Sequence, residues 1–220
     1  PDAVSGVGFA GELGLDGTIR KVPGVAPMVG VRPDHDWVVP VASVAEARVA
    51  GRALVRPVES LAQLVEALTG AASWPQLGHT PSAFVEPELH DLADVKGQPT
   101  ARLALEVAAA GGHHLLFVGP PGAGKTMLAR RMPGLLPDLD RELALQTTMV
   151  HSAAGVALHS GGLITRPPFR SPHHTSSVGS LVGGGSHQMR PGEISLAHGG
   201  VLFLDEMGQF APKVLDGLRE

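Results

Sequence analysis

Gly119-Pro120-Pro121-Gly122-Ala123-Gly124-Lys125-Thr126 follows the apolar run Leu115-Leu116-Phe117-Val118 and opens into Met127-Leu128-Ala129-Arg130. The order is strand, glycine-rich loop, helix, and the stretch fits G-x-x-x-x-G-K-[ST], the pattern of a phosphate-cradling P-loop. Glycine removes the Cβ that would keep backbone N–H groups from converging on phosphate oxygens. The helix N-terminus brings partial positive charge to the same place. Candidate nucleotide contacts are therefore Gly119, Pro120, Pro121, Gly122, Ala123, Gly124, Lys125, Thr126 and Met127. Lys125 reaches toward the β- and γ-phosphates of ATP, and Thr126 offers its hydroxyl to Mg²⁺. Glycine accounts for 29 of the 220 residues. Even so, composition alone would produce the pattern in only on the order of one chain in a hundred, before a flanking strand and helix are required.

The second anchor is Val201-Leu202-Phe203-Leu204-Asp205-Glu206. Four apolar residues in a row predict a strand buried on both faces, as in a parallel sheet. Two carboxylates follow at its C-terminal end, where open α/β sheets bind ligands. Asp205 is the candidate to hold Mg²⁺, and Glu206 to polarise a water for attack on the γ-phosphate. Lys125 and Asp205 lie about 80 positions apart, more than a plain strand–helix–strand path needs, which predicts an insertion around Gly183-Gly184-Gly185.

Composition narrows the alternatives. The chain is 43% hydrophobic with a net charge of −4 and a pI near 6.3, so bulk charge does not make it a nucleic-acid binder and any such contact has to be local. It has no cysteine, which excludes disulfides and thiolate metal sites and fits a cytoplasmic location. No apolar run reaches the length of a membrane span. The histidine pairs His113-His114 and His173-His174 are adjacent, and on a strand such neighbours face opposite ways, so a zinc site is not expected. The first residue is not Met and the last, Leu218-Arg219-Glu220, fall inside an expected helix; both ends are expected to be cut.

Residues 1–70 read as alternating short strands and helices. Asp16-Gly17 marks a turn, Trp37 to Val41 a buried strand, and Ser43 with Glu46 a capping box. Ala53 to Val58 forms another strand, and Ser60 caps a helix with Leu61, Leu64, Val65 and Leu68 on one face, ended by Gly70. Residues 71–88, with Trp74-Pro75, Thr80-Pro81 and Glu86-Pro87, read as a linker pinned by Trp74 and Phe84. Pro99 starts a helix whose apolar face is Leu103, Val107 and Ala110, a candidate wall for an adenine pocket. A helix from Asp140 to His151, a strand from Phe169 to His173, a short helix from Ser176 to Val182 and a helical turn from Glu193 to His198 complete the expected elements.

Two resemblances follow. Gly11-Glu12-Leu13-x-Leu15-x-Gly17, Val22-Pro23-Gly24-Val25 and Val39-Pro40 resemble the second half of a Lon-type protease domain, of ribosomal-S5-like fold. By that likeness the activating lysine falls at Ala26, which cannot take a proton, so the segment is expected to be a scaffold. Residues 89–220 resemble the Mg-chelatase-like AAA+ ATPases of the ComM/YifB type. The likeness is carried by Asp94-Val95-Lys96-Gly97-Gln98, Ala108 to His113, Gly119 to Ala129, Pro168 to Thr175, Gly183-Gly184-Gly185, Pro191 to Gly200, Val201 to Glu206 and Val214-Leu215-x-x-Leu218-Arg219. His114 and Gln209 depart from the family's usual Asn and acidic residue.

The implied fold is α/β, a P-loop NTPase (AAA+) core with a parallel sheet, incomplete at the C-terminus and preceded by part of a Lon-like domain. The implied function is a homo-hexameric ATP-driven motor acting on single-stranded or branched DNA, as a helicase in branch migration, recombination or transformation. Arg190, His187 and Arg166 become candidate DNA contacts through a pore loop. A metal-insertion subunit of the magnesium-chelatase type and an ATP-dependent protease component are the alternatives. The resemblance puts the sensor Asn, arginine finger, lid and the strand between the two anchors beyond residue 220. It follows that the anchors are not expected to be neighbours, and that these residues alone are expected to hydrolyse ATP poorly.

Overall fold

The computed structural model describes residues 4–76, 90–156, 158, 162–185 and 189–218. They form two compact units: one within Pro1–Val85 and Leu145–Ile164, the other within Glu86–Ala144 and Thr165–Glu220.

The first unit opens with β1 (Val7–Phe9) and a hairpin of β2 (Glu12–Leu13) and β3 (Ile19–Arg20). The hairpin turns at Asp16-Gly17, where the Asp16 carboxylate accepts from the Thr18 hydroxyl at 2.7 Å and the Thr18 N–H at 3.1 Å. These bonds favour the ionised form and hold the Asp16 carboxyl below its ordinary value. Next come α1 (Val25–Val31), β4 (Asp36–Pro40), α2 (Val44–Ala50), β5 (Val55–Val58) and α3 (Leu61–Thr69). The sheet order is β1-β4-β5 with parallel pairing throughout, the crossovers being helical as parallel neighbours require. Val25, Ala26, Val29, Val39 and Ala47 are fully buried between the sheet and α1–α2.

Two local readings change here. Ser43 precedes α2 but makes no side-chain cap, and its hydroxyl is buried without a partner. Glu46, read as its capping partner, is itself 2% exposed and turned into the core, where the Ser152 hydroxyl donates to its Oε2 at 2.7 Å. Lys21 Nζ lies 3.1 Å from Oε1, at an angle that makes an ion pair rather than a hydrogen bond. A buried carboxylate with two such partners outbids an N-terminal N–H. The α3 reading holds at its ends: Ser60 accepts from the Gln63 N–H and Gly70 closes the helix. Only part of its apolar face turns inward, since Leu61 and Val65 stay exposed. Trp74 lies under the Arg56 guanidinium at 4.6 Å, a cation–π contact; Phe84 is outside the described residues.

The second unit begins with α4 (Pro99–Gly111), then α5 (Lys125–Ala129), α6 (Met132–Leu135) and the start of α7 (Arg141–Ala153). Beyond lie β6 (Phe169–Arg170), α8 (Val178–Val182), β7 (Gly183–Gly184), β8 (Arg190–Pro191), α9 (Glu193–Leu196), β9 (Val201–Leu202) and α10 (Pro212–Asp216). The division between units falls inside α7, after Ala144. The following residues complete the first unit: Leu145 and Met149 pack on its core, and Ser152 Oγ also accepts the Ala26 N–H at 3.2 Å.

In the second unit β6 and β9 pair in parallel, Phe169 opposite Val201 and Arg170 opposite Leu202. The glycine-rich stretch is an antiparallel hairpin, β7 with β8, as the insertion reading expects; its residues 186–188, and so His187, lie outside the described residues. Strand β6 stops at Arg170 rather than reaching His173. Leu115 to Val118 forms no ladder among the described residues, and Leu116 and Val118 are largely exposed. Val201 to Leu204 is only half-buried, short of the burial on both faces that its apolar run predicts. The apolar face Leu103–Val107–Ala110 of α4 faces outward; Leu105 and Ala108 are buried instead. Leu105 packs with Leu92, Val95 and Leu128, so the inward side of α4 is the one that meets α5.

Candidate nucleotide-binding site

Leu128 anchors the loop-to-helix junction. It is 1% exposed in the core beneath α4, three residues beyond Lys125, and burying a leucine contributes about 2 kcal/mol. That fixes the first turn of α5 and with it Lys125 and Thr126. The loop itself is held from α4: Gln98, at the helix N-cap in the left-handed region (φ 52°), donates Nε2–H to the Ala123 carbonyl at 3.0 Å. Gly124 has φ 80°, and a Cβ there would lie 3.2 Å from Gln98 Nε2 and 3.3 Å from Met127 Cε. Both the backbone conformation and the space therefore call for glycine. Gln98 is a site residue that motif reading missed; its placement before a Pro-initiated helix carries no local signal of a partner 25 residues on.

Lys125 Nζ arches back over the loop and donates to the Gly119 carbonyl at 2.9 Å and the Pro120 carbonyl at 3.0 Å. The N–H groups of Gly122, Gly124, Lys125 and Thr126 make no hydrogen bond to the described protein residues. Four free donors and an ammonium around one loop form an anion-binding concavity. Pro120 and Pro121 lack N–H groups and stiffen its entry.

The two anchors meet. Thr126 Oγ1 donates to Asp205 Oδ2 at 2.7 Å, although Leu115–Val118 and β9 are not paired. This corrects the expectation that the anchors lie apart: the side chains bridge a gap that the backbones leave open. Asp205 Oδ1 accepts the Glu206 N–H at 3.0 Å. Glu206 has φ 52°, a left-handed conformation uncommon outside glycine and often kept at functional positions. The two neighbouring carboxylates therefore serve different partners, Asp205 the P-loop threonine and Glu206 the side of His174, whose Nδ1 is 3.9 Å from Oε2.

The donors suit Mg²⁺. A hydroxyl and a carboxylate oxygen 2.7 Å apart are close to the separation of about 3 Å for adjacent ligands of an octahedral ion with bonds near 2.1 Å. Mg²⁺ takes few protein oxygens and fills its shell with phosphate and water. No group of three or more His, Cys, Asp or Glu side chains gathers as a metal site among the described residues.

Behind the acidic strand, Arg170 on β6 and Glu193 at the start of α9 form a two-pronged ion pair, Nε to Oε2 at 2.6 Å and Nη2 to Oε1 at 2.7 Å. Glu193 raises the pKa of the guanidinium further above its ordinary value. Gly200, between α9 and β9, passes so close to Pro168 that a Cβ would collide with its carbonyl oxygen. The ion pair and that close passage bring β9 beside β6, and Phe169 stacks on Phe203 at 6.1 Å between centroids. Arg166 and Arg190 lie in this unit, Arg190 exposed on β8.

A glycine loop with free N–H groups, a lysine, and a threonine joined to a strand-end aspartate define the P-loop class. A family model, magnesium chelatase subunit ChlI, matches residues 91–220. The chain belongs to this family and is of the ComM/YifB type. It is 50% identical over 213 residues to an uncharacterized protein of Mycobacterium tuberculosis, covering 95% of this chain and 42% of that protein. Competence protein ComM of Haemophilus influenzae is 40% identical over 218 residues, covering 96% of this chain and 42% of ComM. The uncharacterized protein YifB of Escherichia coli is 54% identical over 131 residues, covering 60% of this chain and 26% of YifB. The chain thus spans about two fifths of the first two relatives. The fold is α/β with a P-loop AAA+ core. No helix among the described residues is long and apolar enough to cross a membrane.

Proposed function

We propose that this chain binds MgATP and belongs to an ATP-hydrolysing motor that acts on DNA. The observation that carries the nucleotide reading is the Thr126–Asp205 hydrogen bond, which joins the phosphate loop to the acidic strand. Gly119 to Met127 wrap the phosphates, the free N–H groups of Gly122, Gly124, Lys125 and Thr126 donate to their oxygens, and Lys125 leaves its loop carbonyls for the β- and γ-phosphates. Thr126 and Asp205 hold Mg²⁺, which supplies neutralising charge for the phosphate oxygens. Glu206 orients the attacking water and accepts its proton. The charge that develops on the γ-phosphoryl group falls within reach of the loop N–H groups, which cost little reorganisation because Gln98 already holds the loop.

The DNA reading is supported by a relative named a competence protein and by the exposed Arg190 on the insertion hairpin. A ring of six copies would set that hairpin toward a central pore. Contacts there would be to phosphates, sequence-blind and weakened by salt. The test is ATP turnover by the intact protein. Lys125→Ala is expected to abolish nucleotide binding, Glu206→Gln to keep binding and stop hydrolysis, and single-stranded or branched DNA to raise turnover. Turnover raised by chelatase partners or by unfolded protein, with DNA inert, would replace DNA as the substrate.

A further inference from the structure

Residues 1–85 carry six lysines and arginines, and the first unit sorts them into two sets. Arg20 pairs with Asp16, Lys21 with the buried Glu46, and Arg56 with Asp36. Arg32, Arg48 and Arg52 are exposed, and their side chains make no ion pair or hydrogen bond among the described residues.

The three unpaired arginines gather at one end of the sheet. Arg32 closes α1 ahead of β4, Arg48 lies in the last turn of α2, and Arg52 follows that helix ahead of β5. Because β4 and β5 are parallel neighbours, the turns that lead into them emerge side by side. These turns are tied together. The Pro33 carbonyl accepts the N–H groups of Arg52 and Ala53, at 2.7 and 3.1 Å. The Arg32 carbonyl accepts the Trp37 indole N–H and the His35 N–H, both at 3.2 Å. Asp36 belongs to the same frame, taking the Leu54 N–H at 3.3 Å and the Arg56 guanidinium at 3.2 Å. Asp34 is exposed in this loop, so the unpaired arginines outnumber it. Glu12 and Glu59 stand beyond the C-terminal ends of β1 and β5, at the opposite end.

A cationic end on a chain of net charge −4 needs a reason of its own. The helix dipole favours a cation within the last turn, which accounts for Arg32 and Arg48 but not for Arg52, outside the helix. The planar fork of arginine takes two phosphate oxygens at once. Val31, 80% exposed, and Leu54, 55% exposed, flank the arginines with apolar surface that the sugars of a nucleic-acid strand can cover.

We infer that this end of the first unit is a contact surface for the phosphate backbone of DNA, formed by Arg32, Arg48 and Arg52 and separate from the insertion hairpin. The inference rests on the reading of the chain as part of a DNA motor. The contact holds DNA without reading its sequence and takes no part in ATP binding or hydrolysis.

The test is fluorescence anisotropy of the intact protein with labelled single-stranded and branched DNA across a salt series, beside ATP turnover without DNA. Arg32→Gln, Arg48→Gln and Arg52→Gln combined are expected to weaken binding at least about tenfold and to make the slope of log K against log salt shallower by about two to three. Turnover without DNA and the melting temperature are expected to stay unchanged. The matching Lys substitutions keep the charges and are expected to keep most of the slope. Unaltered affinity and slope in the Gln variant would overturn the inference, as would a Lys variant with a slope as shallow as that of the Gln variant. Displacement of DNA by polyglutamate of equal charge would put an acidic protein in its place and overturn it as well. If the unsubstituted protein binds no DNA, the DNA-motor reading falls and this contact with it. If DNA binds and raises turnover while the Gln variant behaves like the unsubstituted protein, the contact alone falls.

Discussion

The Lys21–Glu46–Ser152 cluster in the first unit makes a quantitative prediction. Glu46 is 2% exposed and Lys21 Nζ stands 3.1 Å from it, with the lysine side chain 38% exposed. At an effective dielectric of about 20, a unit pair at that distance attracts by about 5 kcal/mol. Desolvation and the partial exposure of Lys21 return a good part of it, leaving about 2–3 kcal/mol for removal of the lysine charge against a buried carboxylate. Lys21→Met should therefore destabilise the first unit by that amount, and Glu46→Gln in the same chain should recover at least about 1 kcal/mol, since it removes the uncompensated charge. For a unit of about 100 residues the single substitution lowers the melting temperature by roughly 10–20 °C. Hydrogen exchange of the intact protein locates the loss: protection should fall in peptides covering α2, which carries Glu46, and α1, which packs on it. A Lys21→Met variant as stable as the double variant would refute the reasoning, because the buried carboxylate would then have no need of its countercharge.

Other perturbations follow from the same geometry. Ala26→Lys places an ammonium at a fully buried position, and should unfold the first unit by more than about 3 kcal/mol without creating peptidase activity, measured by urea denaturation and a casein assay. Gly124→Ala meets both a positive φ and the Gln98 amide, and should weaken ATP-analogue binding at least about tenfold by fluorescence titration, with the fold kept. Arg170→Met leaves Glu193 half-buried without its two donors, and should cost about 2 kcal/mol and loosen α9 by hydrogen exchange, partly recovered by adding Glu193→Gln. Thr18→Val removes the hydroxyl bond that most lowers the Asp16 pKa, so NMR titration should show that pKa rise. Because Asp16 titrates lower in the folded chain, its contribution to the hairpin is present above the unfolded value and fades as pH falls through the folded one; the variant, which keeps the N–H of residue 18 and Arg20, should show a weaker dependence.

What could be read from the residues alone divides along a physical line. Gly122, Gly124, Ser60, Pro99 and Asp140 declare themselves because a positive φ, a capping oxygen or a missing N–H acts on the residue's own backbone, and each stands where its type requires. Choice of partner is not local. Leu103–Val107–Ala110 is an apolar face, but Ala101–Leu105–Ala108 is another on the same helix, and only Leu92, Val95 and Leu128 decide between them. Ser43 and Glu46 satisfy the capping pattern, yet Lys21 and Ser152 offer Glu46 a stronger pairing from 25 residues before and 106 residues after.

The motif blocks follow the same rule from the other side. Pro168 to Thr175 and Pro191 to Gly200 could be quoted from the sequence as two separate signatures, and the reason they occur together is one ion pair. Arg170 needs a carboxylate that can take both its N–H groups, Glu193 supplies it, and Gly200 lets the chain return beside Pro168. With β6 and β9 held side by side, Glu206 and His174, each beyond the end of its strand, come within 3.9 Å. Loss of the ion pair should therefore loosen the Glu206–His174 approach as well as α9. Arg170→Met is thus expected to lower kcat of the intact protein as well as its stability, because the ion pair holds the strand that leads to Glu206. An unchanged kcat in Arg170→Met would mean that the ion pair serves stability alone.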